Sequence, residues 1–292
     1  MFKFKAFTLV ELLVVIAIVG LLSTIVLAVT SGVSEQGRIA KSLQFSKHLE
    51  NSLGDHLVGR WTFDETADLC GTNKVCDTSG WNNHGTMNNF VLPYGLVTDT
   101  PSGQGKAMSF DGVDDYVNCG ANESLSPDYI TIELWVKPNT GYGYTHPRLY
   151  AKGDSKQYRM TTTLEGRLYS YLDIEGVERN INVVGALEEN VWQYFVVTFD
   201  GTTHVLYKNG QVIGNDNTYQ GKLISSDGLT SHNLLVGGYA DRMLDGLIDE
   251  VRIYSTALTA LQIQSHYYAG LNKLLANKQI TEQEYQQRLT KN

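Results

Sequence analysis

The chain has few residues of the kinds that define several common functional classes. Of its 292 residues only 5 are proline and 3 are cysteine, and its 23 lysines and arginines are outnumbered by 31 aspartates and glutamates. A net charge of −8 argues against binding nucleic acid mainly through its phosphates. The sequence also has no Gly-rich phosphate loop, no HExxH motif and no recognisable Ser–His–Asp arrangement, and its seven histidines are scattered.

Glycine and tyrosine, by contrast, are abundant, with 28 and 17 residues. From about Leu57 onward the chain consists of short β-branched and aromatic segments separated by turn residues, such as "YITIELWVKP" and "WQYFVVTFD". The pair Asn209–Gly210 in "YKNGQVI" is a strong hairpin signal. Ten or more such segments predict an antiparallel β-sandwich or jelly roll.

The N-terminal part has a different pattern, an almost uninterrupted apolar run. Phe7 to Val29 contains 23 residues, which as a helix would reach roughly 35 Å and cross a bilayer core. Lys3 and Lys5 precede the run, so the positive-inside bias predicts a cytoplasmic N-terminus and a body outside the cytoplasm. Helical spacing continues beyond the run and predicts one helix over about 7–53.

Glu11 is an unusual residue for such a run, because a carboxylate at membrane depth costs free energy unless it has a partner. The surrounding stretch "KAFTLVELLVVIAIVGLL" resembles the N-terminal motif of type IV pilins and type II secretion pseudopilins. The resemblance implies that a prepilin peptidase removes Met1–Ala6, that Phe7 becomes the methylated N-terminus, and that Glu11 serves assembly with other pilin subunits. Ala6 departs from the glycine usual in that family, and the run lacks the family's frequent proline.

The body carries a second resemblance. The segments "DTSGWNNHGTM", "GKAMSFDGVDDYVNCG", "ITIELWVKP" and "LDGLIDEVRIYSTALTALQI" look like a LamG-like, concanavalin A-like jelly roll of the pentraxin type. That resemblance covers about residues 57–268 and implies binding of glycans or proteins, in many members with Ca²⁺ at the rim. The expected organisation is a leader (1–6), a membrane and assembly helix (7–55), a jelly-roll domain (56–268) and a C-terminal helical tail (269–292).

The three cysteines divide into a close pair and a single residue. Cys70 and Cys76 lie in the loop-like "LCGTNKVCDTSG", which favours a disulfide if the body is outside the cytoplasm. A metal site is the alternative, although no further Cys or His cluster completes four ligands. Cys119 stands alone.

Acidic residues at strand ends suggest a site for a hard cation, with a structural Ca²⁺ as the expected cofactor. The candidate ligands are Asp64, Asp77, Asn82 and Asp249, with a loop carbonyl near Asn82. The alternative is that Asp77 and Asn82 cap turns and that Asp249 pairs with Arg252 or solvent.

Two further acidic positions are weaker candidates. In "DGVDDY" the simplest interpretation is a turn, with cation ligation by Asp111 or Asp114 as the alternative. By resemblance to pentraxins, Asp154 and Asp241 mark another calcium position, but no further carboxylates lie near them in the sequence.

An enzymatic function requires a set of catalytic carboxylates. Glucanases of this fold class have a Glu-x-Asp-x-Glu strand, and the nearest match is "YLDIE", where Tyr171 replaces the first carboxylate before Asp173 and Glu175. We therefore expect no catalysis.

Tyrosines in the middle of the chain suit stacking on sugar rings. Tyr142, Tyr144 and Tyr169 are the predicted ligand-binding residues, with packing in the core as the alternative.

The last forty residues return to helical spacing. Leu261, Leu271, Leu274 and Leu275 suit one helix, and Thr281 with Glu284 forms the capping-box pattern of a second helix, whose Tyr285 and Leu289 would dock on the first.

The combined expectation is a single-pass membrane protein of a pilus-like filament that displays a jelly roll outside the cell for adhesion or ligand capture. The alternative is a minor pseudopilin of a secretion or DNA-uptake system whose jelly roll is a spacer. The sequence leaves open the ligand, the filament system and the partner subunits.

Overall fold

A computed structural model of the chain describes residues 52–64, 69–91, 95–139, 146–153, 157–163, 166–225, 227–229 and 231–290, together with positions 37 and 44. The chain divides into two compact units, Met1–Phe45 and Ser46–Asn292, and the described residues belong almost wholly to the second. The predicted membrane helix, with Ala6, Phe7 and Glu11, lies outside them. No described helix is long and apolar enough to cross a membrane.

In its described residues, the second unit is a sandwich of two antiparallel sheets with eight strands each. The strands of the first sheet are β1 (Leu57–Trp61), β4 (Gly95–Val97), β5 (Ala107–Asp111), β7 (Ile130–Pro138), β12 (Gln193–Phe199), β13 (His204–Lys208), β14 (Gln211–Asp216) and β18 (Asp245–Tyr254). Their spatial order is β14-β13-β12-β7-β18-β5-β4, and β1 pairs with β18. The first and last strands of the domain are therefore neighbours.

The strands of the second sheet are β2 (Lys74–Val75), β3 (Gly85–Asn88), β6 (Tyr116–Asn118), β8 (Arg148–Lys152), β9 (Tyr158–Thr162), β10 (Leu168–Ile174), β11 (Val177–Val183) and β15 (Leu234–Val236). Their spatial order is β11-β10-β9-β8-β15-β6-β3-β2. A two-stranded ribbon, β16 (Gly238–Tyr239) with β17 (Arg242–Met243), completes the strands. The predicted mainly β, antiparallel sandwich is confirmed.

Strand β7 shows why apolar side chains pack against both faces of the first sheet. Its residues alternate, so that Ile132, Leu134 and Val136 enter the core between the sheets, while Trp135 faces the other side. Both faces of the strand are buried, and each large apolar side chain so buried contributes about 1.5–3 kcal/mol.

The C-terminal helices cover the outer face of the first sheet. Helix α1 (Ala260–Ala276) begins with a capping box between Thr259 and Gln262, and helix α2 (Glu282–Thr290) follows, with the Thr281 hydroxyl accepting the Glu284 N–H at 3.1 Å. The buried stripe of α1 consists of Ile263, Tyr267, Leu271 and Leu274.

The four leucines predicted to share one helix all lie in α1. Leu261 is nevertheless 75% exposed, because the residues of α1 that contact the sheet begin two positions later, at Ile263. Docking of α2 follows the prediction, since Tyr285 is buried and its hydroxyl donates to Asn272 Oδ1 at 2.7 Å.

Candidate functional site

The outer face of the second sheet carries an aromatic and cationic surface on β9, β10 and β11. On β10, Leu168 and Leu172 enter the core, so alternation turns Tyr169 and Tyr171 to the opposite face. The strand register places Arg159 and Asn180 on either side of Tyr171. We call Arg159, Tyr169, Tyr171, Glu178 and Asn180 the aromatic face.

The two tyrosines of this face stack on each other. Their ring centroids lie 5.6 Å apart and the planes differ by 16°. The guanidinium carbon of Arg159 lies 3.7 Å from the centre of the Tyr171 ring, and its Nη1 forms an ion pair with Glu178 at 2.7 Å. Burial raises the pKa of Tyr171, so its hydroxyl stays a neutral donor at physiological pH. The half-buried rings and their hydroxyl groups offer aromatic contact area and polar partners to a sugar ring.

The sequence predicted only part of this surface. Tyr169 lies on it as expected, whereas Tyr142 and Tyr144 fall outside the described residues. Arg159 was missed as a candidate, because only the pairing register of β9 with β10 brings it beside Tyr171. The alternation of inward-facing and outward-facing residues in "YRMTT" and "LYSYL" was the sequence pattern that could have indicated Arg159.

The residues considered for catalysis occupy separate environments. Asp173 is buried at the end of β10, whereas Glu175 is exposed in the following turn at φ 50°. The Glu175 carboxylate accepts the N–H of Lys222 at 2.7 Å. Tyr171, which replaces the first carboxylate of the glucanase pattern, stacks with Tyr169.

The four predicted calcium ligands differ from one another in burial and in hydrogen bonding. Asp77 is buried, and its oxygens accept the backbone N–H groups of Arg60, Ser79 and Asn83 and the Ser79 hydroxyl, at 2.8–2.9 Å. Asn82 is exposed at φ 57°. The contacts of Asp77 match the turn-capping alternative. The buried asparagine of the loop is Asn83, whose amide donates to the Val58 carbonyl at 2.7 Å.

Asp64 follows the end of β1, and Asp249 lies in the middle of the neighbouring β18, close enough for the charge of Asp64 to act on it. Asp64 accepts the Lys106 N–H at 2.7 Å, and the buried Asp249 accepts the Glu250 N–H at 2.7 Å. Burial raises the pKa of Asp249 well above its usual value, and the charges of Glu250 and Asp64 act in the same direction. The calcium site at these ligands stays a prediction.

The cysteines follow the expected division. Cys70 and Cys76 form a disulfide with their Cα atoms 5.6 Å apart, within the range such bonds require. Cys119 is buried and belongs to the core. This burial raises the pKa of its thiol.

Solved structures with the same fold include several binding domains. The binding domain of Paraclostridial Mosquitocidal Protein 1 is 16% identical with a TM-score of 0.57, and the matched region covers 75% of this chain and 53% of that one. The receptor binding domain of botulinum neurotoxin D is 12% identical with a TM-score of 0.55, covering 75% and 54%. This chain therefore matches only about half the length of these toxin domains, and at such identities the likeness shows the fold alone.

A smaller module matches nearly end to end. Domain 4 of AbnA, a GH43 extracellular arabinanase from Geobacillus stearothermophilus solved with arabinotriose, is 20% identical with a TM-score of 0.52. The match covers 72% of this chain and 97% of that domain. A search of curated proteins returned no match.

Two family profiles match the sequence itself. Residues 1–27 match the prokaryotic N-terminal methylation motif, and residues 111–264 match Laminin_G_3, the concanavalin A-like lectin/glucanases superfamily. The second match spans over half of the chain and includes β6 to β18. The protein therefore belongs to the concanavalin A-like lectin/glucanases superfamily and carries a pilin-type methylation motif at its N-terminus.

Proposed function

We propose that this protein is a pilin-like filament subunit that displays a non-catalytic, glycan-binding sandwich outside the cell. The observation that carries the proposal is the stacked Tyr169–Tyr171 pair beside Arg159, on a lectin-superfamily domain in a chain with a methylation motif. In filament assembly, a prepilin peptidase cleaves between Ala6 and Phe7, and Glu11 contacts a neighbouring subunit. These processing and partner assignments rest on the motif.

The position of the C-terminal helices supports this function. Leu53, Trp135 and Tyr254 belong to the apolar layer between the first sheet and the helices. The aromatic face lies on the outer side of the other sheet, so the C-terminal helices do not cover it.

The test is a glycan array probed with the full-length chain in detergent, with arabinotriose among the glycans because the arabinanase domain was solved with it. We expect binding that Tyr169→Ala and Tyr171→Ala each weaken about three- to tenfold, as one stacking contact is lost. Tyr129→Ala is the matched control, since Tyr129 is exposed just before β7, away from the aromatic face.

Either of two results would contradict the proposal. A blank array, together with subunit crosslinks that map to the aromatic face, would instead favour a minor pseudopilin with the sandwich as spacer. Glycan turnover that Asp173→Asn or Glu175→Gln abolishes would establish an enzyme.

Calcium support is a separate part of the proposal. Asp64 and Asp249 are the predicted ligands whose positions suit it best, because the two carboxylates lie close enough for the charge of Asp64 to act on Asp249. A thermal shift between EDTA and excess CaCl₂ measures the effect, and an unchanged melting temperature in wild-type protein would remove calcium from the proposal.

A further inference from the structure

The turn between β5 and β6 gathers three carboxylates that the proposed function does not use. Asp111, Asp114 and Asp115 each offer one oxygen, and these three oxygens lie within 4.8 Å of one another. The turn is formed locally, because Asp111 Oδ1 accepts the N–H groups of Val113 at 2.8 Å and Asp114 at 3.3 Å. Gly112 sits at φ 76°, and a Cβ there would meet the side chain of Asp245 at 2.9 Å.

Asp115 provides an independent sign of a missing partner. Its side chain is 1% exposed, and its Oδ2 accepts the Asp111 N–H at 3.1 Å. Its other oxygen, Oδ1, is buried without a hydrogen-bond partner in the part of the chain that the structure describes. Buried carboxylate oxygens are almost always satisfied, so this oxygen is available to a ligand that supplies positive charge.

The described residues around this turn add a further negative charge, and no cationic side chain pairs with the carboxylates. Asp245 pairs with Asp111 across β18 and β5, and its Oδ1 accepts the Asn139 amide at 2.6 Å. Among the described residues, none of these four carboxylates forms an ion pair with lysine, arginine or histidine. Burial and then the charge of Asp111 raise the pKa of Asp115 to about 6.

We propose that Asp111, Asp114 and Asp115 bind a divalent cation of the calcium class. All three ligands are hard carboxylate oxygens without nitrogen or sulfur, which favours Ca²⁺ over zinc or copper, and water would complete its six to eight ligands. A bound ion satisfies Asp115 Oδ1 and relieves the repulsion among the three charges. It fixes the β5–β6 turn beside β18, at a position distinct from Asp64 and Asp249.

Terbium luminescence tests this site in the full-length chain in detergent after chelation. Tb³⁺ replaces Ca²⁺ at oxygen sites, and Tyr116, which directly follows Asp115, can sensitise it. The double variant Asp64→Asn/Asp249→Asn serves as background, because it removes the other predicted site. We expect one saturable Tb³⁺ signal in that background, displaced by CaCl₂, and a loss of affinity of about tenfold or more on adding Asp114→Asn or Asp115→Asn.

Asp114→Asn is the decisive variant, because Asp114 is exposed and its carboxylate makes no described hydrogen bond, so the change leaves the turn intact. Asp55→Asn, at an exposed aspartate before β1, is the matched control and should leave the signal unchanged. The site is wrong if the background variant gives no signal, or if Asp114→Asn and Asp115→Asn bind Tb³⁺ as tightly as the background does.

Discussion

Asp77 illustrates how one buried carboxylate organises a loop. Its two oxygens accept three backbone N–H groups and one hydroxyl, which holds the "DTSGWNNHG" segment against β1. The same segment contains the buried Asn83, which is hydrogen-bonded to the Val58 carbonyl and the Ser124 hydroxyl. These contacts assign Asp77 a structural role, whether or not a cation also binds near it.

Asp77→Ala should therefore destabilise the domain strongly. The substitution leaves the buried N–H of Asn83 and the N–H groups of Arg60 and Ser79 without their acceptor, so we expect a loss of about 3 kcal/mol in the free energy of unfolding. Urea denaturation measures it. Asp55→Ala, at an exposed position, should change the same quantity by less than about 0.5 kcal/mol, and an equal effect of the two variants would contradict the assignment.

His204 is a buried base in the core between the sheets. It lies on β13 and its Nε2 is 2.8 Å from the Ser170 hydroxyl of β10, so the pair bridges the two sheets. Burial lowers the pKa of His204 to about 3, against the opposing charge of Asp216. The pair is enclosed in the interior, where no substrate reaches it.

This lowered pKa predicts a pH dependence of stability. The unfolded chain binds the proton near its ordinary pKa of about 6.5, whereas the folded chain resists it, so the free energy of unfolding falls as the pH drops from about 6.5 towards 3. His204 contributes at most about 1.4 kcal/mol per pH unit to that slope. In urea titrations across this window, His204→Gln should be less pH-sensitive than wild type, and an identical slope would refute the assignment.

The C-terminal helices are held on the first sheet by an apolar layer with a buried ionic centre. Glu133 of β7 is fully buried, and its carboxylate meets His266 Nδ1 of α1 at 2.8 Å and Arg252 of β18 at 3.4 Å. Burial alone would raise the pKa of Glu133, but the charges and hydrogen bonds of His266 and Arg252 lower it. The charged carboxylate therefore depends on helix α1 being docked.

His266→Ala should weaken this docking. It leaves Glu133 buried with Arg252 as its remaining described ionic partner, and we expect a loss of about 3–5 kcal/mol at pH 7. The deficit should shrink as the pH falls, because burial then favours the neutral carboxyl of Glu133. Urea denaturation gives the energies, with the exposed His56→Ala as control; equal stability of the two variants would disprove the role of the ionic centre.

The chain as a whole combines a pilin-type methylation motif with a concanavalin A-like sandwich, and the role proposed for each part can be tested separately. Glu11→Ala should abolish incorporation into filaments, because the subunit loses the carboxylate proposed to pair with the N-terminal ammonium of its neighbour. Immunoblots of sheared filaments measure incorporation, with Glu50→Ala as a matched control outside the motif. Wild-type amounts of Glu11→Ala in the filaments would remove the assembly role.

Local patterns predicted much of this molecule correctly. Alternation in "YITIELWVKP" and the Asn209–Gly210 pair indicated strands and a hairpin, and both are present, with Asn209 and Gly210 at φ 51° and 83° between β13 and β14. The spacing of Cys70 and Cys76 indicated their disulfide. Such features depend on interactions between near neighbours along the chain, and the sequence shows directly which residues are neighbours.

The sites were predicted less well, because they depend on contacts between distant segments. The sequence could not show that Arg159 lies over Tyr171, or that Asp77 is saturated by N–H groups from β1 and its own loop. Strand register and sheet order decide those contacts.

The residue order alone determined the methylation motif, the β character of the body and the superfamily. Only the tertiary structure decided which tyrosines share a face, which sheet the helices cover and which carboxylate oxygen of Asp115 has no hydrogen-bond partner among the described residues. The reason is physical: periodicity specifies the local conformation and the buried side of each strand, but the neighbours of a side chain across a sheet are set by pairings between strands far apart in sequence.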